Sequence, residues 1–137
     1  MTLVLDASIS LAWIFQRAKA GEAELAQQVL DRLDKEFVLV PPLWHVEILN
    51  ALAVGLRRGA VTAASAADFL LGLGRLPIET DAAIPLRKDY VLALAAEHRL
   101  TAYDAIYLEL ALRHRAALAT FDRELAAACD EVGVRTV

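Results

Sequence analysis

A single cysteine, no apolar run of membrane length, no glycine-rich turn and no surplus of positive charge are the first features of this 137-residue chain. Cys129 alone cannot form an internal disulfide, and in its alanine-rich, helical setting it reads as a small buried hydrophobe of a reducing compartment. No stretch reaches the ~18 apolar residues that a membrane span needs, and residues 1–15 lack the basic leader region of a secretory signal, so a cytoplasmic protein is expected. The first strand runs into DASIS rather than into glycines, which removes the phosphate loop and the dinucleotide fingerprint and disfavours ATP and NAD chemistry. His45, His98 and His114 share no ligand spacing with one another or with Cys129, which argues against zinc. A net charge of -4 argues against a strongly basic nucleic-acid binder. A bound divalent ion would offset part of that acidic field, so charge alone leaves a nucleic-acid substrate open.

What is present is a high hydrophobic fraction, 58%, inflated by 27 alanines that supply little core volume. The length suits one domain over residues 1–137, and some of the apolar surface is expected to belong to an interface. Apolar strands alternate with helical patterns: TLVL, a helix in DASISLAWIF, a helix in AELAQQVLDRLDK, FVLV, and a helix from Leu43 to Arg58 closed by Gly59. There follow a helix capped by Thr62, a short PIET strand, a helix opened by Pro85, a helix from Tyr103 to His114, ALAT, a helix in FDRELAAACDEV and a last strand VRTV. This order predicts an α/β fold, a helix-covered and mostly parallel sheet of five strands. Ligands in such sheets bind beyond the carboxyl ends of the strands, where Asp6 and Asp122 fall. The aromatics Trp13, Phe15 and Trp44 lie in apolar runs and read as core.

Four carboxylates interrupt apolar sequence with no cation beside them. Asp6 is the sole charge in residues 1–15, Glu47 the sole formal charge in residues 37–56, Asp104 stands alone in LTAYDAIYL, and Asp122 ends AALATFD. A carboxylate removed from water without a partner costs several kcal/mol or takes up a proton. Asp6, Asp104 and Asp122 lie near helix starts, where capping is the plain alternative. Glu47 sits too deep in its helix to cap and has no Lys or Arg three or four positions away, while Asn50 shares its stripe. Brought to one rim, the four would repel one another and raise each other's proton affinity until a cation arrived, and hard oxygen donors suit Mg2+ or Mn2+. Metal-assisted phosphodiester hydrolysis is the reaction class that follows. Ser8 lacks a base to make it a nucleophile, and Asp6-Ala7-Ser8 lacks the second Asp of a haloacid dehalogenase-type phosphatase. Arg57-Arg58 and Arg113-His114-Arg115 end helices, where dipole compensation is favoured over phosphate contact.

VLDAS, the Pro-rich turn into Glu-x-x-Asn (PPLWHVEILN), LTAYDA and the late TFD, in this order over essentially the whole chain, resemble the PIN-domain ribonucleases, in particular the bacterial VapC toxins. The resemblance implies a three-layer α/β/α sandwich, RNA cleavage with Mg2+ or Mn2+, a homodimer, and silencing by a VapB-like antitoxin docked near the site. It places Asp6, Glu47, Asp104 and Asp122 in the acidic quartet and Thr120 at the hydroxyl position of T-x-D. Asp6, Asp104 and Asp122 are expected to hold the metal and Glu47 to orient or deprotonate the attacking water, with Thr120, Ser8 and Asn50 in support. Two rivals stand beside it: a metal-dependent phosphatase or flap-type DNA nuclease on the same acids, and a non-catalytic interaction module.

Overall fold

The computed structural model describes residues 1–16 and 19–137. Among these, the strands are β1 (Thr2–Leu5), β2 (Phe37–Val40), β3 (Ile78–Thr80) and β4 (Ala117–Ala119). The helices are α1 (Ala7–Leu11), α2 (Glu22–Arg32), α3 (Pro42–Arg57), α4 (Ala63–Leu73), α5 (Ile84–His98), α6 (Ala102–His114) and α7 (Arg123–Val132). The strands form one sheet in the order β3-β2-β1-β4, every neighbour parallel. Val4 of the central strand sits opposite Leu39 on one side and Leu118 on the other. Leu3, Val4, Leu5, Val38, Val40, Leu118 and Ala119 are all buried, which is why these strands read as unbroken apolar runs instead of alternating. The sheet is flanked by helices, as the alternating pattern predicts.

The alanines contribute closeness. Helix α6 packs on β1 and β4, and Ala105 and Ala111 on it, with Ala117 and Ala119 on β4, are buried. A methyl is all the room such a contact leaves. Helix α3 buries Trp44, Ile48, Leu52 and Gly55 along one face. Pro42 lies in its first turn, where a missing N–H does no harm, and Gly59 (φ 70) ends it while Ala60 N donates to Gly55 O at 2.8 Å. Thr62 caps α4 and Thr101 caps α6 through their side-chain oxygens.

Two sequence expectations are corrected. VRTV does not form a fifth strand; it makes one parallel bridge, Thr136 to Leu118. Strand β4 is three residues long, and in a parallel ladder its first and third residues face β1, which leaves only Leu118 to offer groups outward. Leu118 N donates to Arg135 O (2.9 Å) and Leu118 O accepts from Val137 N (3.1 Å), which exhausts the edge. The helix expected across DASISLAWIF stops as α1 at Leu11, and residues through Phe15 continue as tighter turns, with Trp13 N bonded to Ser10 O and Ile14 N to Leu11 O. Trp13 and Phe15 still pack against the core.

Arg113 at the end of α6 grips Asp81, the residue after β3, with both terminal nitrogens (2.8 and 3.0 Å) and Glu109 with Nε (2.8 Å). Arg87 of α5 also donates to Glu109 (2.7 Å), and His114 bonds Asp81 (2.9 Å). Arg113 and His114 are thus structural clamps between α6, α5 and the end of β3. Gly55 marks the tightest helix contact: a Cβ there would meet the Phe15 ring at 2.9 Å and Val61 Cγ1 at 3.0 Å, whereas one on Gly72 would meet nothing. Gly55→Ala is expected to destabilise the protein by about 1–3 kcal/mol through overpacking. Gly72→Ala should stabilise it by about 0.5 kcal/mol through helix propensity. Paired urea melts check the opposite signs.

Candidate active site

Asp6 follows β1 directly, and its N–H extends the ladder by one rung to Ala119 O at 3.0 Å, which fixes its Cα at the carboxyl edge. It stands at the N-cap position of α1 without making a side-chain cap. Instead, Oδ2 accepts from both Ser8 Oγ and Thr120 Oγ1, each at 2.6 Å. Those two hydroxyls in turn accept from the backbone N–H groups of Phe121 (3.0 Å) and Asp122 (2.9 Å). The ends of β1 and β4 are thereby sewn together around a carboxylate that is only 5% exposed. All the bonding donors are neutral.

Glu47 enters from α3, one turn beyond the prolines, and its Oε1 accepts from Tyr107 Oη at 2.6 Å. Asp104 lies in the first turn of α6, its N–H spent on Thr101 Oγ1 at 3.2 Å. Asp122 is the N-cap of α7, where Oδ1 accepts from Leu125 N at 2.8 Å, so capping accounts for one of its two oxygens. The four carboxylates line a single open cavity of about 350 Å3, walled also by Ser8, Leu11 and Phe121. Among the described residues none of the four is in an ion pair. Nor do any three Asp, Glu, His or Cys side chains there close tightly enough to enclose an ion. The acids therefore form a shared wall and not a cage, the arrangement that like charges adopt when nothing draws them inward.

The electrostatics follow from that placement. Burial, and then the neighbouring Asp122, raise the proton affinity of Asp6 against the lowering effect of its two hydroxyl donors. Burial, followed by the charge of Asp6, raises Glu47, while the Tyr107 hydrogen bond opposes it. Asp104 is pushed up from 3.8 to about 6, first by burial and then by Asp122, Asp6, Glu47 and Glu124. An all-oxygen donor set fits a hard divalent cation, and Asp6, Asp104 and Asp122 are the residues that could hold one.

Ser8 and Thr120 are where the sequence reading puts them, against Asp6. Asn50 is exposed one turn beyond Glu47 and is not among the residues lining the cavity. The histidines are dispersed, with His45 on Thr80, His98 on Glu131 and His114 on Asp81. Cys129 is buried, its thiol pushed up to about 11 by desolvation and then by Asp130. The residue that sequence reasoning missed is Tyr107. Fully buried, it looks like core; its one signal is the spacing Asp104-x-x-Tyr107, which puts both on one face of α6.

A wall of unpaired carboxylates at the carboxyl edge of a parallel, helix-flanked sheet defines the class of acid-cluster α/β proteins. A family model described as the PIN domain matches residues 3–131. Ribonuclease VapC3 of Pyrobaculum aerophilum is 33% identical over 131 residues, covering 92% of this chain and 93% of that relative. Among solved structures, PAE2754 from Pyrobaculum aerophilum superposes with a TM-score of 0.73 at 29% identity, covering 100% of this chain and 92% of that one. FitAcB from Neisseria gonorrhoeae superposes with a TM-score of 0.65 at 18% identity, covering 98% and 95%, a likeness of fold alone. The chain belongs to the PIN domain family.

The raised acids carry a pH signature in metal-free protein. Asp104 binds its proton more tightly folded than unfolded, so its effect favours the folded state at low pH and turns unfavourable as pH rises from 3.8 to about 6. Asp6 and Glu47 act in the same direction. Asp104→Asn is expected to remove that slope and, at pH 7 in EDTA, to add on the order of 1 kcal/mol, discounted because the carboxyl is half exposed. Thermal melts of both proteins between pH 4 and pH 7.5 check this; parallel curves would refute it.

Proposed function

We propose that this PIN-domain protein, folding as a single domain over residues 1–137, is a Mg2+- or Mn2+-dependent ribonuclease and the toxin of a type II toxin–antitoxin pair. The observation that carries the reading is the convergence of Asp6, Glu47, Asp104 and Asp122, from four separate elements, on one cavity, with no cation paired to any of them among the described residues. The name of the relative, Ribonuclease VapC3, agrees with it. Asp6, Asp104 and Asp122 hold the cation, which when bound supplies the positive charge that offsets the carboxylates and stabilises charge developing on the phosphoryl oxygens. Ser8 and Thr120 fix Asp6 in orientation. Glu47, its proton affinity raised by burial, accepts the proton of the water that attacks phosphorus in the RNA backbone. Asn50 faces solvent and takes no part in this chemistry.

The surface supports the assignment of partners. Val46 (61% exposed) and Leu49 (54%) leave apolar surface on α3, the helix that carries Glu47, and this is the surface we assign to a VapB-like antitoxin. Leu86 and Tyr90, one turn apart on α5, form a second exposed apolar face, the one we assign to a homodimer. Among the described residues no helix is long and apolar enough to cross a membrane. The lone buried cysteine suits the reducing cytoplasm, where we place the protein.

Purified protein incubated with RNA, single-stranded DNA and a phosphomonoester, in Mg2+ or in EDTA, is expected to cleave RNA alone and only with the metal. Asp6→Asn and Asp104→Asn should each lower the rate by on the order of 10²–10³ while melting cooperatively, the loss of several kcal/mol of transition-state stabilisation. Parental cleavage by either variant removes that residue from the mechanism. DNA or monoester turnover would point to another phosphoryl hydrolase, and the absence of both cleavage and any Mg2+-dependent rise in melting temperature would point to a non-catalytic module.

A further inference from the structure

Tyr107 is wholly buried, yet its hydroxyl bonds to Glu47, one of the carboxylates lining the acid cavity. It donates to Glu47 Oε1 at 2.6 Å and accepts, at 3.4 Å, from the N–H of Ala7 at the start of α1. That N–H is one of the first-turn donors of α1, which Asp6 leaves uncapped. One phenol thus spans three elements: it rises from α6, meets the head of α1 and grips the carboxylate of α3. It lies one helical turn after Asp104, so the helix that brings Asp104 to the rim also sets the support beneath Glu47.

From this geometry we infer that Tyr107 is a positioning residue for the ribonuclease reaction: its hydroxyl holds Glu47 in one rotamer and favours its ionised, proton-accepting form. The inference rests on the ribonuclease reading of the site. A glutamate has three side-chain torsions, and on a partly exposed helix face it samples several rotamers unless something fixes it. A hydroxyl that already accepts from a backbone N–H can turn its own proton only toward the remaining acceptor, so Tyr107 donates to Glu47 and does not compete for its proton. Burial and surrounding carboxylates drive the phenol's own ionisation far above its usual range, which keeps it a donor throughout the working pH. Asp6, Asp104 and Asp122 line the cavity with Glu47; burial and the charge of Asp6 disfavour its ionisation, and the phenol opposes them.

Tyr107→Phe keeps the ring in its slot and removes the hydroxyl alone. In the full-length protein with Mg2+, kcat on RNA is expected to fall about 10- to 100-fold, with KM and the Mg2+ concentration for half-maximal rate unchanged, and the acidic limb of the kcat–pH profile should move to higher pH. In a Glu47→Gln background the same change should have almost no further effect, because the group it positions is gone. Parental kcat in Y107F, an unmoved acidic limb, or a loss that multiplies in the double variant would each overturn the inference. If the parent protein does not cleave RNA, it is the ribonuclease reading that fails. The Tyr107–Glu47 relation is then read from carboxyl 13C NMR of Glu47 in the metal-free protein, where Y107F must raise the titration midpoint, and an unchanged midpoint would dismiss it.

Discussion

Two hydroxyls closing on one oxygen of Asp6 are the contact on which the remainder of the site depends. A buried carboxylate at the end of a buried inner strand would ordinarily demand an arginine. Here Ser8 and Thr120 supply neutral donors, and because each also accepts an N–H from the loop after β4, the same four bonds fix the course of the chain at Phe121 and Asp122. Solvating Asp6 and positioning Asp122 are one act. A cation in place of the hydroxyls would solvate Asp6 equally well and would fill the site's need for positive charge from within.

The distribution of ion pairs obeys the same constraint. Among the described residues, apart from the Arg32–Glu36 pair at the end of α2, the arginine–carboxylate contacts cluster at α5 and α6, where Arg113 draws the Asp81 carboxyl well below the ordinary carboxylate range and is itself held more firmly protonated. The Glu109 carboxylate, buried on α6 like Tyr107, receives two arginines there. Helix α6 is therefore pinned by satisfied charges at its carboxyl end and carries an unsatisfied one, Asp104, in its first turn. A rigid helix anchored at one end can present a destabilising charge at the other without moving to relieve it.

Much of this was legible in the sequence because the signals were negative ones. Asp6, Glu47 and Asp104 could be singled out since nothing near them in the chain could neutralise them, and among the described residues none of them is in an ion pair. Unbroken apolar runs announced buried parallel strands, and Pro42, Gly59, Thr62 and Thr101 mark helix ends by local chemistry that tertiary structure does not overrule. The fifth strand was not decided locally: whether VRTV forms a ladder depends on how many outward groups a three-residue neighbour offers. The length of α1 depended likewise on the packing of Trp13 and Phe15 against the core. Asn50 shares a helical stripe with Glu47, yet a stripe has width, and a turn's displacement was enough to leave it in solvent. Tyr107 was hidden for the opposite reason: its ring is core and its hydroxyl is site, a division by atom that residue-level patterning does not register.

Burial that disfavours a charge and chemistry that requires one are reconciled here through protons. Below about pH 6 the half-buried Asp104 carries a proton, and the neighbouring acids lean the same way, so the metal-free wall is partly neutralised from solution. A divalent cation entering the cavity must displace those protons, which makes its affinity rise with pH. Glu47 differs from the other three in the donor behind it, the phenol of wholly buried Tyr107 on α6, where Asp6 has the hydroxyls of Ser8 and Thr120. On the function proposed above, one open cavity holds three acids as cation ligands and a fourth as proton acceptor, and the donors behind each carboxylate, not the residue type, are what distinguish them.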